Sequence, residues 1–128
     1  MLSLLLDEHI SPIIALQARR KYPGMRIVAL REWRGGQFMG APDPVFMQQA
    51  ARERLTLVSY DLRTIAPLLK SWLEQGIDHG GVIFVDQKSI RPQDFGGLVR
   101  ALGKIWKTAR QSEWRNRVVF LRRRSEQI

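Results

Sequence analysis

Residues 3–9 read SLLLDEH, a run of leucines that ends on two acids and a histidine. The apolar run is too short for a membrane span or a secretion signal, lacks a basic start, and meets charge at once. It therefore reads as a strand, and the fold follows from how often that pattern recurs. MRIVAL (25–30), LTLVS (55–59), GVIFV (81–85) and RVVFL (117–121) are four further short apolar runs. Each is nearly continuous rather than alternating, as expected of strands buried on both faces.

Between the strands the apolar spacing turns helical. Ser11-Pro12 opens a helix that runs to about residue 22, where Pro23-Gly24 stops it. Asp43-Pro44 repeats the start ahead of VFMQQAARER. A third helix is expected over about 65–75. The longest begins near Pro92, with Phe95, Leu98, Val99, Leu102, Ile105, Trp106 and Ala109 on one stripe. Strands alternating with helices predict an α/β fold, a doubly wound five-stranded parallel sheet covered on both faces. The 128 residues suit a single domain over 1–128 with one core.

Composition narrows the function. The chain is 45% hydrophobic and 26% charged, as in ordinary globular domains, and has no cysteine, so disulfides and thiolate metal sites are excluded. A cytoplasmic location with no membrane association is the expectation. With 21 Lys and Arg against 12 Asp and Glu the net charge is +9, which favours polyanions such as nucleic acid.

The acids are placed differently from the bases. Asp7 and Glu8 follow strand one, Asp61 follows strand three by two residues, Asp86 follows strand four, and Asp43 starts a helix after a glycine-rich loop. In a doubly wound sheet the functional crevice lies beyond the carboxyl ends of the strands, so one rim would collect carboxylates. Two unit charges ~4 Å apart cost about 4 kcal/mol at an effective dielectric near 20. A cation between them removes that cost, and several hard oxygen ligands suit Mg²⁺ or Mn²⁺. The chemistry implied is metal-dependent phosphodiester hydrolysis. Each acid also has a plainer reading: Asp43 and Asp61 as helix caps, Asp7 and Glu8 as solvated strand ends, Asp86 as a loop acid, Asp94 as a first-turn residue.

The order LLLDEH, then APDPVFMQQAARERLTLVSYD, resembles the PIN-like nucleases. The likeness is strongest to their small single-domain branch, whose first strand ends in Asp-Glu-Asn or a similar triplet. Its later markers, Pro-Asp opening a helix, an Ala-rich turn and a strand ending Thr-x-Asp, stand here as Pro42-Asp43, Ala50-Ala51 and Ser59-Tyr60-Asp61. The resemblance covers roughly residues 3–85. It implies strand order 3-2-1-4-5, RNA as substrate, and a ribonuclease that is the toxin of a toxin–antitoxin pair. Asp7, Asp43 and Asp61 would be the catalytic metal-binding acids, with Glu8 and Ser59 supporting. Where relatives often carry a fourth acid this chain has Arg63, so that carboxylate is absent, supplied by Asp86, or replaced by a phosphate-contacting arginine.

The loop REWRGGQF (31–38) combines cations with stackable rings, as single-stranded nucleic acid requires, so Arg31, Trp33 and Arg34 are candidate RNA contacts, to which the resemblance adds Arg63. The alternative is a surface loop with its Trp tucked into the core. Arg122, Arg123 and Arg124 begin a basic tail, and Trp72 and Trp106 are core or homodimer contacts. His9 could serve as an acid or base; His79 in IDHGG has no partner visible in the sequence. Two other functions fit the same residues. A catalytically silent module binding nucleic acid or an antitoxin needs only the charge. A phosphoacceptor signalling domain needs a lysine after strand five, where Leu121-Arg122 stand instead.

Overall fold

The computed structural model describes residues 1–123. Arg124 and the rest of the expected tail lie outside the described residues. Five strands, β1 (Ser3–Leu6), β2 (Arg26–Ala29), β3 (Thr56–Ser59), β4 (Val82–Val85) and β5 (Val118–Leu121), alternate with four helices. These are α1 (Ile13–Lys21), α2 (Asp43–Arg52), α3 (Leu62–Gln75) and α4 (Phe95–Ala109). All four strand pairings are parallel, with Leu5 opposite Val28 and Leu57, Val58 opposite Ile83, and Phe84 opposite Phe120. α3 begins three residues before the expected start, because the Asp61 carboxylate accepts the Thr64 N–H and caps it there.

Alternate strand residues feed two separate cores. Leu4, Leu6, Val58, Ile83 and Val85 face α1 and α4. Leu5, Leu57, Val82 and Phe84 face α2 and α3. Leu4, Leu5 and Leu6 are almost completely buried, each worth roughly 1.5–3 kcal/mol of apolar burial. A helix layer on each face is why the strands read as continuous apolar runs.

The strand order is β2-β1-β3-β4-β5, which corrects the expected 3-2-1-4-5. That order needs two outward steps, with the first two crossover helices on the same face. Here the stripe of α2 (Phe46, Met47, Ala50) packs opposite to that of α1 (Ile14, Ala15, Ala18). A right-handed crossover ties the helix's face to its direction of travel, so the chain steps out once to β2 and returns past β1 to β3. The last connection departs from this regularity. α4 shares the face of α1, yet it adds β5 at the opposite edge, so the two crossovers have opposite hands. No helix then covers the α2/α3 side of β5, where Val118 and Phe120 remain exposed. Among the described residues, no helix is long and apolar enough to cross a membrane.

Candidate active site

Strand order reverses between β1 and β3, so the crevice of the sheet opens beyond Leu6 and Ser59. A cavity of about 320 Å³ lies there, lined by Asp7, His9, Ser59, Tyr60, Asp61 and Gln87 among others. Asp7 is 6% exposed and Ser59 fully buried. The Ser59 hydroxyl donates to Asp7 Oδ2 at 2.6 Å and accepts the Asp61 backbone N–H at 2.9 Å. Asp7 Oδ1 accepts the Glu8 N–H at 2.8 Å. The buried carboxylate is thus held by one donor on each oxygen, with lone pairs to spare.

Asp43 is delivered from the other core. It is the first residue of α2, and its carboxylate accepts no hydrogen bond among the described residues, so it is not used as a cap. Burial pushes its pKa up; the charges of Asp7, Asp61 and Glu8 push it further, and His9 opposes them. Asp7, Glu8 and Asp61, which lie on other parts of the chain, therefore act on Asp43. Asp61 also caps α3 through Oδ1. Among the described residues no three carboxylate or imidazole groups are set closely enough to enclose an ion.

Asp86 stands apart from this group. Its Oδ1 accepts the Lys88 N–H at 3.2 Å, and Oδ2 lies 3.8 Å from Arg122. It shapes the 86–94 loop, which forms one wall of the crevice and is tied to β3 by the Tyr60 hydroxyl donating to the Ile90 carbonyl at 2.9 Å. Burial, with Asp94 nearby, pushes Tyr60 up to about 12, so it keeps its proton as a donor. Arg123 fastens the same loop from β5, its N–H on Ser89 Oγ at 2.6 Å and its guanidinium on Asp94 at 2.7 Å. The sequence showed Tyr60 only as part of the Ser59-Tyr60-Asp61 marker and Arg123 only as basic tail, and did not single out Ser89, because each acts through a partner at least 29 residues away.

The glycine-rich loop takes the core alternative. Trp33 is buried and stacks on Phe38 with ring centroids 4.8 Å apart. Glu53 accepts from Trp33 Nε1 at 3.1 Å, Arg34 Nε at 2.6 Å and Gln49 Nε2 at 2.9 Å. Trp33 is thus closed off as a stacking surface, whereas Arg31, Arg34 and Arg63 are exposed. Trp72 belongs to the α2/α3 core, and Trp106 is half-buried beside α1. Compared with known proteins, the chain matches no family model, no curated protein and no solved structure.

Proposed function

We propose that this crevice holds Mg²⁺ or Mn²⁺ and hydrolyses RNA phosphodiester bonds, as a PIN-like ribonuclease. The observation that carries this reading is that Asp7 and Asp61 line one crevice, both bonded to Ser59 Oγ, in a chain of net charge +9; burial, and then the charges of Asp7, Asp61 and Glu8, push Asp43 up as well. Mutual repulsion among acids at a strand switch point has no structural use, and a divalent cation relieves it. The donor set is hard oxygen throughout, which fits Mg²⁺ or Mn²⁺ and not a soft metal. Mg²⁺ keeps most of its waters and is bound directly through one or two carboxylates, so an open set of acids suffices. Of Asp7, Asp43 and Asp61, one or two would bind the ion directly and the rest through its waters, and the ion would supply a water of lowered pKa and charge stabilisation at the phosphate.

The chain's own groups do the rest. Ser59 fixes the Asp7 carboxylate, Glu8 adds negative charge that reaches Asp43, and Arg31 and Arg63 offer cations for the RNA backbone. A co-expressed antitoxin that covers the crevice would restrain such an activity in the cytoplasm, and a homodimer is compatible with it. The strand order also suits a phosphoacceptor domain, but the position after β5 holds Arg122, beside Asp86, rather than a lysine.

The test is incubation of mixed RNAs with wild type, Asp7→Asn and Asp61→Asn in Mn²⁺, with a chelated control. Cleavage by wild type alone, lost on chelation, is expected. Binding of RNA without cleavage would leave the silent basic module, and equal cleavage by all three proteins would remove the carboxylate mechanism.

A further inference from the structure

A second cavity lies at the other end of the sheet, beyond the amino ends of the strands. It measures about 540 Å³, within the range of small-ligand sites. Arg54, Asp78, His79, Glu113, Trp114 and Arg115 contribute to its wall.

Its floor is held rigidly. Gly80 admits no side chain, because a Cβ there would collide with the Leu55 carbonyl, and Gly81 adopts φ +103° with the Trp114 carbonyl 2.5 Å from where a Cβ would stand. Thr56 Oγ1 donates to the Gly80 carbonyl at 2.9 Å. Asn116, itself at φ 61°, receives the His79 N–H on its side-chain oxygen at 3.0 Å and returns its own N–H to the His79 carbonyl at 2.9 Å.

This frame turns the His79 ring in a defined way. The imidazole is 6% exposed, and its Nδ1 accepts the Gly81 N–H at 3.0 Å. Nδ1 therefore carries no proton, and Nε2 is the N–H edge left to the cavity, without a partner among the described residues. Burial pushes the pKa of the ring down against the pull of Asp78, which keeps it neutral with that single donor. Among the described residues the buried side-chain N–H without a partner is that of Trp106, so the His79 Nε2–H is reached by solvent and is open to an acceptor. The Arg54 guanidinium makes no ion pair or hydrogen bond among the described residues; Glu113 Oε1 accepts the Arg115 backbone N–H at 3.0 Å, but the Arg115 guanidinium forms no ion pair with it. Asp78 is already engaged by Asn116 Nδ2 at 2.8 Å.

We infer that this cavity binds a nucleotide-sized phosphate monoester, its phosphate on Arg54, Arg115 and the His79 Nε2–H and its hydroxyl or amino donors on Glu113. Two cations and a fixed N–H suit a phosphate, and the carboxylates on the same wall favour a ligand that also carries donors over a bare anion. The site is remote from the crevice and does not depend on cleavage there.

The experiment titrates the full chain with AMP, inorganic phosphate and adenosine at constant ionic strength, reading the His79 ring nitrogens by NMR and affinity by calorimetry. AMP is expected to bind with a Kd below roughly 1 mM, at least about tenfold tighter than phosphate or adenosine alone, and to shift Nε2 more than Nδ1. Arg54→Asn and Arg115→Gln, both at exposed positions, should each weaken AMP about tenfold. His79→Asn keeps an acceptor for Gly81 and removes the Nε2–H. Asp7→Asn should bind AMP as wild type does. Equal affinity for adenosine and AMP, no effect of either arginine change, or no AMP binding at millimolar concentration would overturn the assignment.

Discussion

The Ser59 hydroxyl lies 2.6 Å from Asp7 Oδ2, joining the ends of β3 and β1 across 52 residues of sequence. Both groups are buried, and the same oxygen receives the Asp61 N–H, so a single serine sets the positions of two acids. Ser59→Ala leaves a buried carboxylate oxygen and a backbone N–H short of partners, at a cost of about 1–3 kcal/mol. Chemical denaturation should show that loss, and RNA cleavage should fall further than stability alone accounts for. Wild-type cleavage by a destabilised variant would show the bond to be structural only.

Asp43 should behave in the opposite sense. Its folded pKa lies above the unfolded 3.8, so its ionised form opposes folding at neutral pH. This contribution becomes more favourable as pH falls toward the raised value, and the penalty is gone below 3.8. Asp43→Asn should abolish cleavage at pH 7 while leaving Tm unchanged or raised by about 1–3 °C. Mn²⁺ should raise Tm in wild type and much less in the variant. A fall in Tm on substitution would assign Asp43 to helix α2 instead.

Glu53 holds the loop between β2 and α2. Burial acts to raise its pKa, but hydrogen bonds from Gln49, Trp33 and Arg34 outweigh it and hold the carboxyl below the ordinary 4.5. The resulting stabilisation is present above pH 4.5 and lost as pH falls through the lower folded value. Glu53→Ala should cost about 1–3 kcal/mol by orphaning the buried Trp33 N–H. It should also increase fluorescence quenching of Trp33 by acrylamide. Unchanged quenching would mean that the Phe38 stack alone keeps the loop closed.

Arg63 stands on the first turn of α3, exposed and two residues beyond Asp61. If it contacts phosphate, Arg63→Ala should weaken RNA binding modestly and reduce the slope of log affinity against log salt by about one. An unchanged slope would leave it a solvated side chain.

Legibility in the sequence differs from element to element. SLLL and GVIFV declared themselves as strands because burial on two faces leaves no room for polar alternation. Asp7, Asp43 and Asp61 stood out in the sequence by their places after strands one and three and at a helix start, and the structure sets Asp7 and Asp61 on one crevice. Trp33 was not: cations and rings in a glycine-rich loop describe both an open nucleic-acid contact and a closed one, and only the position of Glu53 distinguishes them. His79 gave no signal either, since its partner Asn116 lies 37 residues away.

By itself the sequence determined the parallel α/β class and the buried runs of β1, β3 and β4, because periodicity and residue volume are local properties of the chain. Tertiary structure alone decided the order of the strands, the closing of the Trp33 loop, the bond between Ser59 and Asp7, and the cavity under His79. Each depends on which face a helix takes or which distant group comes within hydrogen-bonding reach, and a linear pattern of polar and apolar residues leaves those choices degenerate.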